Sequence, residues 1–183
     1  NAFYRARINL TLRDDDPDYA PLVLANYVFG GGSGLSNRLM DRVRQRDGIS
    51  YGVGSGLLVG SRDRAAGWQI AGLVAPQNAA KFEQAVREEL ERMLQDGLTE
   101  KEIEDARNGL LQERVLNRSN DGTVASVWTG YLDLGRSFTS YSQAFDDRIR
   151  GLTAAEVNAA LRRHLDPAKM TVVVAGDAAK GAK

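Results

Sequence analysis

Cysteine is absent from the 183 residues. That excludes disulfides and thiolate zinc sites, and gives weak support to an oxidising compartment. Net charge is absent too: 24 Lys and Arg balance 24 Asp and Glu. A chain without excess positive charge lacks the electrostatic footprint of a nucleic-acid binder. No apolar run reaches the roughly 18 residues that a membrane-spanning helix needs. Histidine occurs once, at His164, so a hydrolytic triad or a two-histidine zinc motif would have to be built without a second imidazole. His164 sits in "RRHLDP", and a histidine in the last turn of a helix complements the helix C-terminus. The chain opens "NAFYRARINL" without an initiating Met, and reads as a segment of a longer or processed polypeptide.

What is present is the composition of a folded domain, 43% hydrophobic and 26% charged. "FYRARINLTLR" (3–13) alternates as a strand. "DDDPD" follows, with Asp16 as a helix cap and Pro17 at the first helical position, opening a helix over 17–29. "GGGSG" (30–34) is a flexible break. Ser36 then caps a second helix, with Leu35 and Met40 as a hydrophobic staple, and Gly48 ends it. Strands at 50–60 and 66–75, joined by "SRDR", form an antiparallel hairpin. Pro76 opens a helix with Phe82, Ala85, Val86, Leu90, Met93 and Leu94 on one stripe.

Capping boxes at Thr99/Glu102 and Thr153/Glu156 start two more helices. The first carries Ile103, Ala106, Leu110 and Val115 on one face. Between them lie a helix with Val124, Val127, Trp128, Tyr131 and Leu132, and another over 138–149. "MTVVVAG" (170–176) is a β-branched run suited to a buried strand. The expected order is β-α-α-β-β-α-α-α-α-α-β, an α+β domain with a mostly antiparallel sheet covered by helices, one domain over 1–183.

The glycine-rich stretch "FGGGSGLSNRL" invites a phosphate-loop reading, but the Lys-Ser/Thr of a P-loop is missing and the stretch joins two helices. The acidic groups at 14–16 and 88–89 read as a turn and a solvated face. More informative is "RVRQRDGISYGVGSG" (42–56), which sets Arg44 and Tyr51 on either side of an Asp47-Gly48 turn. Both side chains donate hydrogen bonds and can address one carbonyl or oxyanion, although each also has a structural use at a helix end or in a strand. Gly52, Gly54 and Gly56 share one strand face, which suits the close approach of a helix or partner.

The stretch "FGGGSGLSNRLMDRVRQRDGISYGVGSG" resembles the second-half domain of the pitrilysin/insulinase zinc metallopeptidases, a family that includes the mitochondrial processing peptidase. The pattern S-x-R-L-x-x-x-(L/V)-R-x-x-x-G-(L/I)-x-Y is met by Ser36, Arg38, Leu39, Val43, Arg44, Gly48, Ile49 and Tyr51, after Gly31 and Gly32. "DGLTEKEIEDARNGLL" and "LTAAEVNAALRRHLDPAKMTVVVAGD" extend the likeness along nearly the whole chain.

The resemblance implies two homologous domains around a chamber, one carrying zinc on H-x-x-E-H and the other carrying the Arg/Tyr pair. Arg44 and Tyr51 would be the catalytic pair, with Gly31, Gly32, Ser33 and Gly34 also contacting the peptide. H-x-x-E-H is missing, so no metal site is expected here and zinc is expected in a complementary half, in the same chain or in a partner subunit. The expected partners are that zinc-bearing domain and a peptide substrate, with no nucleic acid and no membrane span. A bacterial, periplasmic parent protein is expected. Three functional readings follow: half of an active zinc endopeptidase, a non-catalytic scaffold of the same superfamily, or a free-standing peptide-binding module.

Overall fold

The computed structural model describes residues 1–32, 37–50 and 52–176. Strand β1 (Ala2–Thr11) alternates strictly, with Ala2, Tyr4, Ala6, Ile8 and Leu10 buried and the residues between them exposed. Helix α1 (Tyr19–Asn26) runs on as a π-helical turn (Tyr27–Gly31). Helix α2 (Arg38–Met40) likewise widens into a π-helical turn (Asp41–Arg46). Strands β2 (Gly52–Leu58) and β3 (Ala65–Val74) follow. A short 3-10 turn, Pro76–Asn78, leads into α3 (Ala79–Asp96), then α4 (Glu100–Arg118), α5 (Asp121–Asp133), α6 (Phe138–Gly151) and α7 (Ala154–His164). Strand β4 (Thr171–Ala175) closes the described chain. The order and the α+β class are those read from the sequence.

The four strands form one sheet in the order β2-β3-β1-β4, with every strand pair antiparallel. Residues opposite each other in an antiparallel ladder share a face. The register sets Val53, Ser55 and Leu57 beside Gly72, Ile70 and Trp68 on the helix-covered face. Tyr4, Ala6 and Ile8 continue that face across β1. Trp68, Phe29, Phe82, Leu90 and Met93 are fully buried there. Each such side chain contributes roughly 1.5–3 kcal/mol of transfer free energy. Phe82 meets Tyr4 edge-on with ring centres 4.9 Å apart. The other sheet face, with Phe3, Arg5, Arg7, Gln69, Ala71, Leu73 and the β2 glycines, carries no helix among the described residues.

Several local expectations change. Pro17 and Asp18 lie in a turn before α1, and Asp16 does not cap the helix: its carboxylate accepts from the Arg13 backbone N–H at 2.6 Å. Ser36 and Leu35 lie outside the described residues; the side chain of Asn37 caps α2 by accepting from Met40 N–H at 2.9 Å. Both capping boxes form. Gly48 and Gly97 take positive φ, 60° and 81°, at the helix ends. Gly30 and Gly31 belong to the helix rather than to a flexible break.

The stripe on α4 stops short. Ile103 and Ala106 are buried, but Val115 is 62% exposed. α5 buries none of its side chains, and Trp128 stacks on Phe138 at the surface. β4 is an edge strand, and its valines are not a buried run: Val173 is 59% and Val174 43% exposed. The close approach of a helix expected over Gly52, Gly54 and Gly56 is found among the described residues only at Gly54, where the π turn comes near. A Cβ at Gly52 or Gly56 would meet nothing within 4 Å, and one at Gly54 would touch only the Gly30 carbonyl at 3.4 Å.

Glycine on the covered face is different. A Cβ at Gly72 would lie 2.4 Å from the tip of the buried Phe82 ring. Gly72→Ala is therefore expected to cost about 1–3 kcal/mol as overpacking. Gly56→Ala, two strand positions into open space, should be neutral or stabilise by up to about 1 kcal/mol. Urea unfolding of the two variants checks which face is covered; equal effects would contradict it.

Candidate functional site

Arg44 lies in the last turn of the π-helical segment after α2, where a cation complements the helix C-terminus. Its side chain is exposed, and it makes no hydrogen bond or ion pair within 4 Å among the described residues. It lines a cavity of about 690 Å³ together with Gly48, Ile49, Ser50, Gly52 and Leu73. Gly52 and Leu73 are opposed in the β2–β3 ladder, so this cavity opens at one end of the uncovered sheet face. The Ser50 hydroxyl fixes the turn by donating to the Leu73 carbonyl at 2.5 Å. Tyr51, Ser33 and Gly34 lie outside the described residues.

Gly31 and Gly32 are close-packed against their own helix. A Cβ at Gly31 would meet the Asn26 side chain at 2.1 Å, and one at Gly32 the Tyr27 ring at 3.0 Å. Next door, Ser55 Oγ donates to Asn26 Oδ1 at 2.7 Å, tying β2 to the end of α1.

Two further arginines, Arg38 of the motif and Arg42, hold Arg44's helix in place. Arg38 forks onto Glu102 at 2.7 and 3.0 Å and also donates to the Gly97 carbonyl. Arg42, only 9% exposed, donates to Asp47 at 2.7 Å and to Glu88 at 2.6 Å. Bidentate, partly desolvated pairs of this kind are the stronger ones. Apart from Asp47, five residues on from Arg42, their carboxylate partners Glu88 and Glu102 are 46 and 64 residues away in sequence, so no local pattern could announce those pairs.

Zinc does not fit the donors in this chain. His164, the sole imidazole, is held by Asp18, Nε2 to Oδ2 2.9 Å, at the far end of α7. Among the described residues no three His, Asp or Glu side chains are grouped to hold a metal ion. Nor is any described helix long and apolar enough to cross a membrane.

The Arg42 clamp has a definite pH signature. Burial raises the Asp47 carboxyl, but hydrogen bonds from Arg42 and Arg46 outweigh it and leave its pKa below the usual value. The Arg42 hydrogen bond likewise lowers that of Glu88. Depressed carboxyl pKa values stabilise the fold fully above the unfolded value, near pH 4, and the contribution disappears as pH falls through the folded values. Arg42→Met should therefore lower the melting midpoint by about 2–4 °C at pH 7, the scale of a lost partly buried pair. The gap to the unsubstituted chain should begin to narrow at about pH 4 and close once the pH has fallen through the lowered folded values. A gap independent of pH would contradict the clamp.

Comparison with known proteins places this geometry in context. A family model described as "Peptidase M16 inactive domain" matches residues 6–110. A Helicobacter pylori protein called "Non-peptidase homolog YmxG" is 22% identical over 171 residues, covering 92% of this chain and 38% of that protein. The crystal structure of the peptidase M16 inactive domain from Pseudomonas fluorescens is 28% identical, with a TM-score of 0.81, and covers 96% of this chain and 41% of that one. An inactive peptidase domain from Bordetella parapertussis is 18% identical, with a TM-score of 0.77, and covers 95% of this chain and 92% of that one. The chain thus spans about two fifths of the H. pylori and P. fluorescens proteins. With more than half of its residues matched by the family model, and the α+β fold of its structural neighbours, the chain belongs to the peptidase M16 inactive-domain family.

Proposed function

We propose that this chain is the substrate-holding half of a zinc-dependent endopeptidase, working with a homologous zinc-bearing domain in the same polypeptide or in a partner subunit. The observation that carries the reading is Arg44. Its guanidinium has no carboxylate partner among the described residues, stands on a helix pinned by two other arginines, and borders the 690 Å³ cavity at the end of an open sheet face. Arg44 would grip a carbonyl of the bound peptide. Tyr51, seven residues on, would donate its hydroxyl to the oxyanion that forms on the attacked carbon. The sheet beside Arg44 gives an extended peptide room to lie. The activation of water belongs to the complementary half, since the donors for zinc are not in this one.

A second reading has support of its own. A relative is called a non-peptidase homolog, and the family model is described as an inactive domain, so the parent protein could use the same surface without cleavage, as a scaffold or peptide-binding subunit.

Kinetics of a complete protein containing both halves separate the readings. Tyr51→Phe is expected to leave the Michaelis constant near its original value and to lower kcat by about 10²–10³. Arg44→Lys keeps the charge and loses the planar fork, so it should raise the Michaelis constant as well as slow turnover. Measured on one fluorogenic peptide, unchanged values in both variants would defeat the catalytic reading and leave the scaffold.

A further inference from the structure

The uncovered sheet face carries arginines and no carboxylates. Its outward residues are Phe3, Arg5, Arg7, Asn9 and Thr11 on β1, and Thr171, Val173 and Ala175 on β4. β3 adds Ala65, Gly67, Gln69, Ala71 and Leu73, and β2 its glycines with Leu58. No Asp or Glu is among them, in a chain whose charges balance at 24 and 24. Most other arginines are ion-paired, on every side of the molecule. Arg5, Arg7 and Arg44 have no carboxylate within 4 Å among the described residues, and all three border this face or its end.

Arg7 is set in place rather than loose. Its Nε donates to Asn9 Oδ1 at 2.8 Å, and its guanidinium lies over Gly67, where a Cβ would come within 2.6 Å of it. Arg5 and Arg7 line a groove of about 320 Å³ with Gln69, Thr171 and Val173. At the Arg44 end the face turns apolar, with Phe3 61% and Leu73 46% exposed.

Resting on the reading of Arg44 above, we propose that this face selects extended peptides bearing acidic side chains, held by Arg5 and Arg7, with an apolar residue toward Phe3 and Leu73. The geometry sets the spacing. Arg5 and Arg7 are two apart on one strand, so about 7 Å separates their Cα atoms, the repeat of alternate residues in an extended peptide, with the Arg7 head reaching on toward the row of Asn9 and Gly67. A Glu-x-Glu pair matches both. Arg5 stands in the ladder row of Ala71 and Gly54, one row and two strands from Gly52. That offset is about 12 Å, so the acidic pair falls roughly three to five residues from the carbonyl at Arg44. The glycines of β2 leave that part of the floor free of side chains.

Anisotropy titrations of the 183-residue chain test this. The probes are fluorescein-labelled ten-residue peptides that differ only in Glu-x-Glu, Gln-x-Gln or Lys-x-Lys, and a single-stranded DNA of equal charge. At low salt the Glu peptide should bind about 5–10-fold more tightly than the Gln peptide, the scale of two exposed ion pairs, and the Lys peptide more weakly than either. The preference should fade at about 0.5 M salt. Arg5→Ala/Arg7→Ala should abolish the Glu preference with affinity for the Gln peptide unchanged, and Arg5→Glu/Arg7→Glu should favour the Lys peptide. Arg44→Ala should weaken the Glu and Gln peptides alike.

Equal binding of Glu and Gln peptides, or a preference that survives loss of Arg5 and Arg7, overturns the proposal while leaving the role of Arg44 standing. A Glu preference that persists while Arg44→Ala changes nothing supports this proposal and defeats the reading of Arg44. DNA binding as tight as the Glu peptide, with the same dependence on Arg5 and Arg7, overturns the peptide assignment.

Discussion

The site depends on how a very short helix is held. α2 has only three α-helical residues before its backbone widens into a π turn, and a segment of that length has little stability of its own. Arg38 and Arg42 supply what the backbone lacks. One reaches the start of α4, the other reaches α3 and the turn that follows, and between them they fix the rotation of the segment. Arg44, two residues past Arg42, is left with its guanidinium free beside the sheet. The arrangement divides labour among arginines in one run: Arg38 and Arg42 are ion-paired and structural, and Arg44, at the cavity, has no carboxylate partner among the described residues.

The sequence disclosed what is decided locally. Capping boxes at Thr99 and Thr153 involve residues three apart, and both form with reciprocal hydrogen bonds. Alternation over β1 and the stripe on α3 reflect periodicities of one element, so the strand, the helix and their inward faces were legible. Burial that depends on topology was not. The valines of β4 read as a core strand, yet chain order puts that strand at the edge. The glycines of β2 read as a place where something packs, but the register turns them to the uncovered face. Asp16 looked like a cap and instead ties the preceding turn to Arg13 and Arg64.

The candidate site was legible in part for the same reason. Arg44 was marked by a motif with fixed spacing, and the structure finds it free at a cavity. Arg42 carries no local signal, because its value lies in Glu88, brought near only by folding. Arg5 and Arg7 looked like ordinary outward residues of an alternating strand. Their significance appears only when four strands are assembled and the face is seen to contain no acid to neutralise them. Family membership adds the fold and the context of zinc-protease-like proteins, while the chemistry of this chain rests on its own side chains.

The exposed position of β4 has a consequence for handling the protein. An unpaired strand edge is a template for another strand, and natural sheets usually blunt it with lysine, proline or a bulge. Thr171–Ala175 has none of these; it is five residues of threonine, valine and alanine with much of their surface in water. At the other edge, β2 is approached by the end of α1, with Ser55 bonded to Asn26 and the Gly30 backbone close by. Colloidal behaviour of this chain should therefore be governed by its sheet margins.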